Sequence, residues 1–161
     1  MYILDSNIFI QAYRTYYAFD IAPKFWDELN NHSSNGNIAS IDRVQNELIN
    51  GGDQLSSWIG NNCACTFVPT DDSNTISAYT QIMRWAQSTP RFSQNAISEF
   101  AKVADGWIVA YAMANSCTVA TLEISQPNGR SRVKIPDVCQ AFSVPFTDTF
   151  TMLRRLGVSF S

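Results

Sequence analysis

Five short apolar runs recur along this chain, and segments with helical spacing separate them. The runs are "MYIL" at 1–4, "GNIASI" at 36–41, "CTFVP" at 65–69, "CTVAT" at 117–121 and "VPF" at 144–146. Strands that alternate with helices constrain the chain to an α/β fold with a mainly parallel sheet and helices on both faces. No linker or internal repeat divides it, so residues 1–161 read as a single domain, long enough to bury a substantial core.

The intervening helices are marked by their ends and their periodicity. One is expected from Ser6 to about Arg14, and another opens at Pro23, a position that tolerates proline. "DRVQNELINGG" reads as a helix capped by Asp42, with Gln45 three residues on and Gly51-Gly52 as its stop. "QLSSWIG" is a short helix, and the stretch from Asp71 to about Ser88 carries Ile76, Tyr79, Ile82, Met83 and Ala86 at helical spacing. "SQNAISEFAKVADGWIVAYAMANS" makes a helical pair or one broken helix. "DVCQAFS", capped by Asp137, and "DTFTMLRRL" complete the set.

Composition removes several function classes. There is no apolar stretch of membrane-spanning length and no basic, apolar leader, so the default expectation is the cytoplasm and no membrane. Four scattered cysteines and a single histidine, His32, argue against a disulfide framework, a structural zinc site and histidine-based acid–base chemistry. A net charge of −3 offers no global attraction to nucleic acid, although a local basic rim is compatible with it.

The acids are more informative. In open α/β sheets, ligands gather at the carboxyl ends of the strands, and Asp5 interrupts its apolar run at that end of the first strand. Its plain alternative is a helix N-cap. Glu47 lies beside Val44 and Leu48 on the helix after the second strand, where a solvated glutamate is the ordinary reading. Asp105 shares a helix face with Ala101, Ile108, Val109 and Ala112; an acid there needs compensation unless the helix restarts and Asp105 caps it. Glu123 follows the strand "CTVAT", and Asp137 precedes a helix and reads equally as its cap. Carboxylates brought to one sheet edge repel each other, and a divalent cation relieves that repulsion. An oxygen-only ligand set suits Mg²⁺ or Mn²⁺.

"YILDSNIFI", "RVQNELING", "KVADGWIVAYA" and "VATLE", in that order, resemble the PIN domain family, nucleases that include the VapC-type toxins. The resemblance spans nearly the whole chain and looks closest to a branch ending "TLE…KIPDVC…FTMLRRLG". It implies a three-layer α/β/α sandwich and metal-dependent hydrolysis of phosphodiester bonds, most often in RNA. It further implies metal binding by Asp5, with Ser6 beside it, and by Glu47 and Asp105. The chain departs from the family near its end, where Glu123 and then the insertion "ISQPNGRSRVK" precede Asp137. The fourth acid therefore lies between Glu123 and Asp137; both are expected at the site as catalytic groups, with Asp137 completing the metal set. Ser6, Asn7 and the basic cluster Arg130, Arg132 and Lys134 are candidate RNA contacts, the alternative for the cluster being a solvated loop. A VapC-like toxin would have a cognate antitoxin covering the site, and apolar stripes with Trp26, Trp85 and Trp107 are candidates for antitoxin or homodimer contact.

Two other classes compete. An aspartyl-phosphate phosphatase wants a second aspartate two residues after the first, and this chain has Asn7 there. An inert PIN-like binding module would have no need for Asp5, Glu47 and Asp105 together.

Overall fold

The computed structural model describes residues 1–63 and 65–160; Ala64, between Cys63 and Cys65, and Ser161 lie outside the described residues. The strands are β1 (Tyr2–Leu4), β2 (Ile38–Ile41), β3 (Phe67–Val68), β4 (Thr118–Ala120) and β5 (Phe146–Thr147). They form one parallel sheet in the order β3-β2-β1-β4-β5, with Leu4 opposite Ala120 and Ile3 opposite Ala39. All four residues of β2 are buried, as are Ile3, Leu4, Val119 and Ala120. Sheets covered on both faces read as continuous apolar runs for this reason.

The helices are α1 (Ser6–Gln11), α2 (Pro23–Ser34), α3 (Asp42–Ile49), α4 (Gln54–Asn61), α5 (Ser73–Ser88), α6 (Gln94–Lys102), α7 (Asp105–Asn115), α8 (Ile135–Ala141) and α9 (Thr149–Arg155). Together with the sheet they make a three-layer α/β/α sandwich. A π-helical turn, Ala12–Tyr16, extends α1 beyond its regular hydrogen bonding. Asp72, Ser93 and Asp148 each cap a helix through the amide three residues on. The stretch 93–116 is a helical pair, broken at Val103 and Ala104 between α6 and α7. Helix α7 packs across β1, β2 and β4 and lies against α5 and α8.

Two expected caps are corrected. Asp42 is the first residue of α3 rather than its cap; its carboxylate accepts hydrogen bonds from the Thr70 amide and hydroxyl and so ties α3 to the segment after β3. Helix α8 starts at Ile135, because Pro136 favours the first turn, and Asp137 falls inside that turn with Lys134 at the cap position. Trp26 is only 2% exposed and donates its indole N–H to the Tyr17 carbonyl at 2.7 Å, so it belongs to the core and not to a contact stripe. Gly52, at φ +68°, adopts the left-handed turn that separates α3 from α4, next to the capping box of Asp53 and Ser56.

Candidate active site

From β1 the chain crosses to β2 and β3 on one side and later to β4 and β5 on the other, so the strand order reverses between β1 and β4. Diverging connections open a crevice at the carboxyl ends of those two strands. Asp5 stands at its base. Its amide donates to the Ala120 carbonyl at 3.0 Å, and its buried carboxylate accepts from the hydroxyls of Thr121 (3.1 Å) and Ser6 (3.3 Å). Asp5 occupies the N-cap position of α1, yet its side chain makes no capping bond. Thr121 carried no signal of its own in the sequence; only pairing of β1 with β4 brings it to Asp5.

Two glutamates approach the crevice and are turned onto helix starts. Glu47 Oε1 accepts the Ala104 amide at 2.8 Å, which caps α7 from a neighbouring helix. Glu123 Oε2 accepts the Ile135 amide at 2.7 Å at the start of α8, and its Oε1 lies 3.7 Å from Arg132 Nη2. The Glu123 amide in turn donates to the Thr121 hydroxyl at 3.1 Å.

The acids share one negative field. Burial, then the charge of Glu123, pushes the Asp5 carboxyl up to about 6, although the Thr121 and Ser6 hydroxyls pull the other way. Asp105 retains some contact with solvent but is surrounded mostly by protein. Burial, then Asp5, Glu123 and Glu47, raises it to about 8, and Arg132 offsets part of the rise.

Asp137 is drawn elsewhere. Its carboxylate accepts from the Ser125 hydroxyl and from the Gln126 amide, anchoring the start of the 124–134 insertion. Arg91 holds the same loop through the carbonyls of Gln126 and Gly129, and the Ser93 amide donates to the Arg130 carbonyl. The Arg130 side chain is exposed; Arg132 and Lys134 line a depression with Asn7 and Glu123.

Among the described residues, no group of three or more His, Cys, Asp or Glu side chains stands ready to hold a metal ion. Both glutamates satisfy backbone amides in this arrangement. The donor chemistry nonetheless fits a hard divalent cation, since the charges that make Asp5 and Asp105 harder to ionise are those of neighbouring carboxylates.

Over residues 2–160 the sequence matches the model of a family described as "Domain of unknown function (DUF4411)". No curated protein matches it. Among solved structures, VapBC2 from Rickettsia felis, bound to a DNA fragment from its promoter, contains a chain of similar fold. The two are 14% identical with a TM-score of 0.57, over 91% of this chain and 97% of that one. FitAcB from Neisseria gonorrhoeae is 20% identical with a TM-score of 0.54, over 91% of this chain and 96% of that one. At such identities the likeness concerns the fold alone.

Proposed function

We propose that this chain, which belongs to the DUF4411 family, is a ribonuclease that hydrolyses RNA phosphodiester bonds with Mg²⁺ or Mn²⁺ held by Asp5, Asp105, Glu47 and Glu123. The observation that carries the reading is the convergence of acids on the β1/β4 crevice, where they raise the carboxyls of Asp5 and Asp105 together. Perturbed acids in a crevice are the usual mark of a functional site. A bound divalent ion would lower the pKa of a water and stabilise charge on the scissile phosphate.

The chain's own groups have separable tasks in this reading. Thr121 and Ser6 hold the Asp5 carboxylate by both oxygens, which fixes its orientation and favours its ionised form. Glu47 and Glu123, which accept the amides of Ala104 and Ile135, would help to hold the ion once released from them. Arg132, Lys134 and Asn7 contact substrate phosphates from the adjoining depression. Asp137 serves the site through its loop. The likeness to VapBC2 and FitAcB supports a toxin role with a cognate antitoxin as partner.

A second reading, an inert PIN-like binding module, is favoured by one observation: the two glutamates already cap helices and leave no assembled metal cluster. Calorimetric titration with Mn²⁺, alongside cleavage of single-stranded RNA, separates the two. The nuclease reading expects carboxylate-dependent binding, and activity abolished in Asp5→Asn and in Asp105→Asn with the fold retained. Absent Mn²⁺ binding in the parent protein would favour the module, and cleavage by both variants at the parent rate would remove the site from consideration.

A further inference from the structure

Resting on the ribonuclease reading, we propose that Arg43 forms a second phosphate subsite, on the Glu47 side of the acids and opposite the Arg132 loop, which engages a neighbouring phosphodiester of a single-stranded RNA. Arg43 and Glu47 are four residues apart on α3 and therefore share a helix face. Both line a cavity of about 230 Å³ together with Asn46, Asn50, Lys102 and Trp107.

The Arg43 side chain is held before any ligand arrives. Its guanidinium carbon lies 3.8 Å from the centroid of the Trp107 ring, and Trp107 stacks on Tyr79 with centroids 3.8 Å apart and planes 7° from parallel. Its Nε donates to the Thr70 hydroxyl at 3.1 Å, and that hydroxyl donates to Asp42 at 2.9 Å. Among the described residues Arg43 forms no salt bridge. A cation that is oriented by an aromatic face and carries no carboxylate partner suits an external anion. Little side-chain entropy remains to be lost on binding.

Three depressions connect this position to the acids. The one with Asn7 and Lys134 shares Arg132 with the one that contains Asp105, and the latter shares Val103 with the Arg43 cavity. Arg43 and Lys102 thus line one end of this run of depressions and Lys134 the other, with Asp105 and Arg132 between them. A polyanion lying along it would have its outer phosphates held and its central phosphate set against the carboxylates. The ligand class is an RNA strand, whose successive phosphates can meet Arg43 and the Arg132 loop in turn.

The test is anisotropy of a labelled single-stranded RNA decamer with the full chain in chelator, from low to moderate KCl. In Arg43→Gln, loss of one phosphate contact should weaken binding to unrelated sequences equally and reduce the slope of log affinity against log salt by about 0.7. Arg43→Lys, which keeps the charge, should restore most of that slope. If Arg43→Gln lowers the melting temperature but binds with the parent's slope, Arg43 only packs on Trp107 and the subsite is overturned. Failure of the parent chain itself to bind the decamer would overturn the ribonuclease reading along with it.

Discussion

Two hydroxyls stabilise the Asp5 anion while burial and Glu123 oppose it, and the balance leaves the carboxyl at about 6. Asp105 has Arg132 to set against three acids and is raised to about 8. Both values exceed the unfolded value of 3.8, so across that window the folded chain binds more protons than the unfolded one. Stability of the metal-free protein should therefore fall as pH rises from about 4 to about 8 and level off above. Thermal melts in chelator read this directly. Asp105→Asn should flatten the upper part of the fall and raise the melting point near pH 8, while cleavage is lost. A parent profile that is level between about pH 5 and 8 would contradict the shared field. Asp137 should behave differently from Glu123. Buried, and accepting from Ser125 and Gln126, its change to Asn should cost about 1–3 kcal/mol of stability and leave Mn²⁺ affinity intact. Glu123→Gln should weaken Mn²⁺ binding. Equal loss of affinity in both variants would return Asp137 to the metal set.

At the scale of elements, the start of α7 is where stability and the site meet. Glu47 satisfies the Ala104 amide there, and Asp105 is the next residue. Glu47→Ala should destabilise the metal-free protein by about 1 kcal/mol, as loss of a helix cap does, in contrast to the gain expected for Asp105→Asn. Gly106 follows. A Cβ at Gly106 would sit 3.0 Å from ring atoms of Phe100 and of Tyr79. Phe100 is buried, and Tyr79 is stacked on Trp107, so neither ring can withdraw freely. Alanine normally improves a helix interior by about 1 kcal/mol over glycine. Here the crowding should reverse the sign, and Gly106→Ala should unfold at lower temperature than the parent. An increase in melting temperature would mean that the rings give way. The insertion shows the same logic on a loop: Arg91, Ser93 and Asp137 fasten its backbone, and Arg132 reaches Glu123 from it.

Across the whole molecule, strand order determines which acids meet. Because β1 lies between β2 and β4, groups from the first few residues and from beyond residue 120 share one crevice. Metal binding to that crevice should stabilise the fold by mass action, by roughly 2.7 kcal/mol at a hundredfold excess over Kd. Mn²⁺ should raise the melting temperature of the parent and do so much less in Asp5→Asn; equal shifts would place the ion elsewhere. The alternation of apolar runs and helical segments was legible because each element's burial pattern is written locally, over a handful of neighbouring residues. Asp5, Asp105, Glu123 and Asp137 could be named as candidates in the same way, from strand ends, an apolar helix face and a helix start, and Glu47 only through the resemblance. Their partners could not. The Thr121 hydroxyl that holds Asp5 is 116 residues away, and the Ala104 amide that engages Glu47 is 57 residues away. The placing of Asp137 on its loop and of Arg43 over Trp107 belongs to the same class. By itself the sequence determined the α/β class and a set of candidate acids. Which of those acids act on one another, and which are occupied by backbone amides, was decided only when the parallel strands took their order in the sheet, because no local stretch of chain contains both members of such a pair.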